Sequence, residues 1–366
     1  MCGYDASSGV TASSVSRDAA LVSEASVRKF GDLLAGERFG GLREETLLGM
    51  AELASVGSAP AAPAEYRPIF FDPHCPSEKY YGWRCLHEEP GLRILRKQLG
   101  IFSKILFLCQ NVDDERLSQL VKDRRFGGPT IIQIVHDFSR PASPAGVSLG
   151  GRHFEHCQND RTLNIGTLLI ELDKPEEELW KNFDPNSRTK VRRAAKEGVQ
   201  VRISARRHEE DLRSFFDFYR PLAKRANLDV PSQPLVERMI DAGDMISAAA
   251  VASDSTVVAV NLIYLCPPYA YDVWGASSNN RINGAGHLLR WEGIKWLQNR
   301  DFRWYDLGGA ATTDPSDPIY SFKKTLGGRY VSLGSEYRRM DALTTVAYAG
   351  FRLTKKLTRQ MSPLRR

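Results

Sequence analysis

The chain has 366 residues, 42% hydrophobic and 26% charged, with a net charge of +6, which is the make-up of a globular protein and not of a disordered or fibrous one. Its length exceeds what one hydrophobic core organises, so two domains and a tail are expected. It lacks a run of about 18 uninterrupted apolar residues, which excludes a membrane-spanning helix. The start MCGYDASSGVTASS has no basic-then-apolar leader, so the expected location is the cytoplasm.

Residues 1–66 are rich in Ala, Ser and Gly and close on VGSAPAAPAEY. Short helices fit around 19–30 and 44–54, but the stretch reads as an extension outside the core. From 67 to 180 a first domain is expected. Strands are predicted at RPIFF, LRILRKQ, KILFLC and TIIQIVHDF, with helical spacing in DDERLSQLVKD between the last two. A loop at 141–151 leads to a strand at TLLIEL and a helix at EEELWKNF. In HFEHC, His153, His156 and Cys157 lack a second ligand pair at zinc spacing, so they read as loop residues and no metal is expected. The six cysteines are scattered without a C-x-x-C pair, which fits a reducing compartment.

A second domain is expected over 181–345. NSRTKVRRAAKEG is a helix that Asn186 or Ser187 can cap and Gly198 can stop. VQVRI follows as a strand, then helices at EEDLRSFFDFYRPLAKRA and PLVERMIDAG. ISAAAVAS and VVAVNLIYLC flank a hairpin turn at SDS, and AYDVWGAS is a third strand. HLLRWEGIKWLQNR is helical, with Leu288, Trp291 and Ile294 at core spacing, and Glu292 free to pair with Arg290 or Lys295. RWYDLGG closes the series as a strand. This order is that of a Gcn5-related acetyltransferase (GNAT) fold. Residues 346–366 form a basic tail, for which a terminal helix is favoured over membrane contact.

Several motifs carry a resemblance. Gly275 to Asn279, Trp291 and Glu292, Tyr305 to Gly309, and Phe322 with Lys323 stand in order over about 150 residues, behind the arginine-rich SRTKVRRAAKEGVQV. They resemble the Fem family of non-ribosomal peptidyl transferases. The resemblance implies an α/β (α+β) fold of two tandem GNAT-like domains, here without the family's helical arm. It implies transfer of an amino acid from aminoacyl-tRNA to the amine of a small acceptor, either a peptidoglycan precursor or a peptide-antibiotic intermediate, with no cofactor.

Aminolysis of an activated ester needs a neutral amine, a proton acceptor, and positive charge where the oxyanion develops. The family match puts Lys323 in the last role, with Lys324 adjacent and Phe322 orienting it. Asp137, beside His136 at the end of a strand, stands where the family carries an acid. Asp306 reads as structural. Arg225 resembles the family's diphosphate-gripping arginine, and Lys79 is a weaker candidate from the first domain. Asp272 and Trp274 replace the tyrosines that line the family's acceptor side. Arg188, Arg192 and Arg193 form a cationic cluster suited to tRNA phosphates, and no DNA contact is expected. Arg281, Gly284 and Gly286 in RINGAG fit a pyrophosphate-binding helix start. That loop supports an alternative, an acyl-CoA-dependent N-acyltransferase; a second alternative is a non-catalytic RNA- or ligand-binding relative.

Overall fold

The computed structural model describes residues 66–71, 76–123, 126, 130–135, 143–157, 161–226, 228–278, 282–342, 344–346 and 348–349. In chain order, a 3-10 turn (Ile69–Phe71) and helix α1 (Pro76–Tyr81) lead into strands β1 (Arg84–Glu89), β2 (Leu92–Leu99) and β3 (Phe102–Cys109). Helix α2 (Asp114–Leu120) crosses to β4 (Thr130–Val135), followed by β5 (Val147–Leu149), β6 (Arg152–His156) and β7 (Gly166–Glu171). Helices α3 (Glu176–Asn182) and α4 (Pro185–Lys196), strand β8 (Gln200–Ser204), and helices α5 (Glu209–Ala226) and α6 (Gln233–Asp241) come next. Strands β9 (Met245–Val251), β10 (Val257–Cys266) and β11 (Tyr269–Ser277), helix α7 (Ala285–Gln298), strand β12 (Trp304–Ala310), helix α8 (Pro318–Thr325) and strands β13 (Arg329–Ser332) and β14 (Glu336–Met340) complete the order.

Two seven-stranded sheets result, ordered β1-β2-β3-β4-β14-β6-β5 and β13-β7-β12-β11-β10-β9-β8. Each contains an antiparallel meander followed by one parallel crossover, β3-α2-β4 in the first and β11-α7-β12 in the second. The sheets do not divide the chain at residue 180. Strand β7 pairs with β12 and β13, whereas β14, from near the other end, pairs with β4. Each crossover strand thus gains its outer neighbour from a distant part of the chain.

The layers follow from the apolar pattern. One buried cluster joins Leu95, Leu106 and Leu108 of the first sheet, Phe215, Phe216 and Met239 of α5 and α6, and Leu262 and Tyr264 of the second. A second cluster packs Leu179, Val191, Leu289 and Ile294 of α3, α4 and α7 on the opposite face of the second sheet. Lys79 extends the tie between halves, donating to Asp244 at 2.5 Å, so it holds the turn before β9. None of the described helices is long and apolar enough to cross a membrane.

Three local readings change. RPIFF is a 3-10 turn, not a strand, because Pro68 precedes it and the Phe71 N–H closes on the Pro68 carbonyl. HFEH is strand β6, with Phe154 buried, and not a loop. The cap of α4 is Asp184, whose carboxylate accepts the Asn186 N–H at 2.8 Å, with Pro185 opening the helix. Gly198, at φ +81°, does stop that helix. Asp184→Ala is expected to cost about 1 kcal/mol of stability, and Asn186→Ala much less, as read by urea unfolding.

Candidate active site

The site begins where a ladder ends. Strands β11 and β12 pair at Tyr269 with Trp304, Ala270 with Tyr305 and Tyr271 with Asp306, and no further pairs form although both strands run on. On each strand an irregularity coincides with the break. Against β10, Asp272 faces Ile263 and Trp274 faces Leu262, leaving Val273 as an extra residue. Against β7, Asp306 faces Leu169 and Gly309 faces Thr167, so Leu307 and Gly308 oppose one residue. Extra residues bend a strand and end its pairing, so the sheet opens between β11 and β12. The equivalent pair in the first sheet, β3 and β4, stays in register from Ser103–Thr130 to Leu108–Val135.

Lys323 sits at this opening. It lies in the last turn of α8, a helix whose N-cap Asp317 accepts the Tyr320 N–H at 2.7 Å. The half-buried Lys323 Nζ donates to the Gly309 carbonyl at 2.9 Å. Gly308, at φ +85°, lets the strand pass: a Cβ there would lie 2.8 Å from the Asp272 carbonyl oxygen and 3.3 Å from Lys323 Nζ. Below it, buried Asp306 accepts from Tyr66, Thr167 and, at 2.7 Å, the Gly308 N–H. Burial pushes the Asp306 carboxyl up, and these donors together with nearby Lys323 pull it back. Asp306 is thus a buried, multiply hydrogen-bonded side chain beneath the lysine.

Phe322 turns from α8 toward α7. Its ring meets His287 edge-on at 5.0 Å between centroids and carries the Arg290 guanidinium 5.3 Å above it. Arg290 donates to Asp272 at 3.3 Å and to Asn261 Oδ1 at 3.1 Å. The Tyr305 hydroxyl donates to Asp272 at 3.4 Å and accepts from Asn261 Nδ2 at 3.3 Å. Burial, then Lys190, then Arg290 hold the His287 imidazolium down to about 4, so the ring is neutral at pH 7. The unfolded chain, with an ordinary histidine near 6.5, takes up a proton between about pH 6.5 and 4 that the folded chain refuses. Stability therefore falls as pH drops through that window and levels off below it. His287→Phe is expected to flatten this part of a plot of Tm against pH.

The other expected site residues are dispersed. Lys324 is exposed, and Trp274 is buried in the inter-sheet cluster, 5% accessible. Asp272 is committed to Arg290 and Tyr305. Arg225 is exposed in the last turn of α5. Arg188 and Arg192, four residues apart, share one face of α4, with Arg192 stacked 5.3 Å over Trp180, whereas Arg193 pairs with Glu197 at 2.7 Å. Gly284, the N-cap of α7 at φ +95°, is forced to be glycine because a Cβ would overlap the Lys190 carbonyl of α4. The Ala285 and His287 N–H groups close on Ile282 and Gly284, so that turn is partly self-satisfied. Asp137 and Arg281 lie outside the described residues. Elsewhere, His208, Glu210 and Asp211 cluster, but Arg202 occupies both carboxylates.

Sequence reasoning gave no site role to Asn261, His287, Arg290 or Tyr305. Of the two partners open to Glu292, Arg290 and Lys295, it takes Lys295 at 2.7 Å, while Trp291 is core as its spacing indicated. The available signal was Asn261, one amide inside the apolar strand VVAVNLIYLC, because a buried amide requires partners.

Residues 181–324 match the family described as the acetyltransferase (GNAT) domain. Among solved structures, the crystal structure of FemX is 16% identical with a TM-score of 0.55, covering 80% of this chain and 95% of that one. A conserved protein of unknown function from Bacteroides thetaiotaomicron is 10% identical (TM-score 0.46, covering 74% and 89%), and L-PGS from Bacillus licheniformis 12% identical (0.45, 76% and 90%). No curated protein matches the chain by sequence. The chain therefore has a mixed α/β fold of two tandem GNAT-like units, and the opened sheet with its lysine lies in the second.

Proposed function

We propose that this protein forms an amide bond by moving an amino acid from aminoacyl-tRNA to the amine of a small acceptor. The observation that carries the reading is the break between β11 and β12 with the Lys323 ammonium held at its mouth on the Gly309 carbonyl. The ester carbonyl of the donor lies in the opening. A neutral amine attacks it, the C–N bond forms, and the tetrahedral oxyanion is stabilised by Lys323. The C–O bond then breaks, the tRNA hydroxyl leaves with a proton, and the amine loses one, so charge balances. Arg188 and Arg192 take tRNA phosphates, Arg225 takes an acceptor phosphate, and Asp137 receives the amine's proton.

The acyl-CoA reading is kept because residues 181–324 match an acetyltransferase domain and the first turn of α7 has no side-chain cap. The test supplies a charged total-tRNA pool with a panel of amines and identifies the product by mass. Product that disappears after ribonuclease treatment supports the proposal. Product from acyl-CoA alone replaces it with the second reading, and RNA binding without turnover on either donor replaces it with a binding role.

A further inference from the structure

We infer that Arg290 is a positioning residue that fixes helix α8, and through it Lys323, against the opened sheet. The inference rests on the proposed transfer only where it concerns rate. Its structural part stands on the side chain's contacts.

Helix α8 buries none of its residues fully, so packing alone anchors it weakly. Besides Lys323 on Gly309, the Thr325 carbonyl that accepts the Asp184 N–H and the Tyr320 ring against Tyr330, it is attached through Phe322, and one of the groups on the Phe322 ring is the Arg290 guanidinium. That guanidinium is itself immobilised from behind. Asp272 and Asn261 bind two of its nitrogens, and Tyr305, fully buried, holds both of those partners. Arg290 therefore couples β10, β11 and β12 to α8 by a planar, multi-donor group that lysine does not replace. Gly275 shows that the path is reserved: a Cβ there would sit 2.5 Å from Arg290 Nη2 and 2.8 Å from Asn261 Oδ1. The glycine that opens GASS is thus the space through which the arginine reaches Asn261. Asp272, on this account, orients Arg290 and does not touch the acceptor.

The test compares Arg290→Met, Arg290→Lys and Phe322→Leu with Glu292→Gln, a surface change on the same helix. Amide exchange of residues 318–325 is expected to quicken about tenfold in Arg290→Met and Phe322→Leu, with α7 protected as before and Glu292→Gln unchanged. In transfer assays kcat is expected to fall about 30-fold with KM within about threefold, and the Arg290→Met/Phe322→Leu double variant to be no slower than the worse single one. Arg290→Lys is expected to recover only part of the rate. Should Arg290→Met fail to fold, Phe322→Leu decides. Wild-type exchange at 318–325 in either folded variant overturns the inference, as does unchanged kcat. A wild type that transfers nothing would sink the proposed function alone, because the exchange result still decides the role of Arg290.

Discussion

Lys323→Ala is expected to slow amide formation about 100-fold or more while leaving the folded protein as stable as before. The lysine is half-buried in the last turn of α8, a helix that buries none of its residues fully. In the proposed reaction it supplies a fixed positive charge at the mouth of the opening, tied to the Gly309 carbonyl until an oxyanion develops beside it. Lys324→Ala is the control. That residue is exposed one position away, 100° round the helix, and its loss should change the rate by no more than about twofold. Rates under single-turnover conditions with saturating donor check both variants. Equal losses would mean that general positive charge, and not the position of Lys323, drives catalysis.

Gly284→Ala is expected to have the largest effect on stability, about 2–5 kcal/mol, by urea unfolding. An alanine there must hold φ near +95°, which costs about 1–2 kcal/mol, and must push aside the Lys190 backbone carbonyl, an overpacking cost of about 1–3 kcal/mol. Backbone cannot swing away as a side chain can, so α4 and α7 must separate. Gly286→Ala, two residues on, adds a Cβ whose nearest neighbour is Arg290 Nη1 at 3.9 Å. It should leave the fold intact or strengthen it, since alanine is the better helix former by about 1 kcal/mol. The two glycines of RINGAG are thereby distinguished: the first is required by helix packing whatever the loop binds.

The second unit was largely readable because its elements are local. Amphipathic spacing in α5 and α7, the SDS hairpin and the Gly198 stop each depend on residues within one turn or one strand pair of each other. Strand β14 could not be read in that way. EYRRM is polar by composition and becomes a strand because it fills the place between β4 and β6, both far earlier in the chain. The same holds for β7, whose apolar TLLIE marks a buried strand but not the sheet it joins. Asp184 was overlooked as a cap because Asn186 and Ser187, two good capping residues, follow it, and Pro185 between them decides the start of the helix.

Of the site, Phe322 and Lys323 were found by motif and stand at the opening. What brings them to that place was not legible. It lies in the Val273 and Gly308 irregularities, which no periodicity betrays, and in an arginine of α7 that binds Asn261 and Asp272 on two strands and stacks on a phenylalanine of α8. Asp272 and Trp274 show the opposite failing. Their motif position marked them as acceptor-facing, whereas the bulge between them turns Trp274 into the inter-sheet core and Asp272 onto Arg290.

The most direct test of the whole account is where a donor's acyl group comes to rest. A non-hydrolysable aminoacyl-RNA analogue with a photoreactive side chain, cross-linked to the full-length protein and mapped by mass spectrometry, should label 271–277, 306–310 or 318–325. Labelling confined to the first sheet, or to the face covered by α5 and α6, would contradict it.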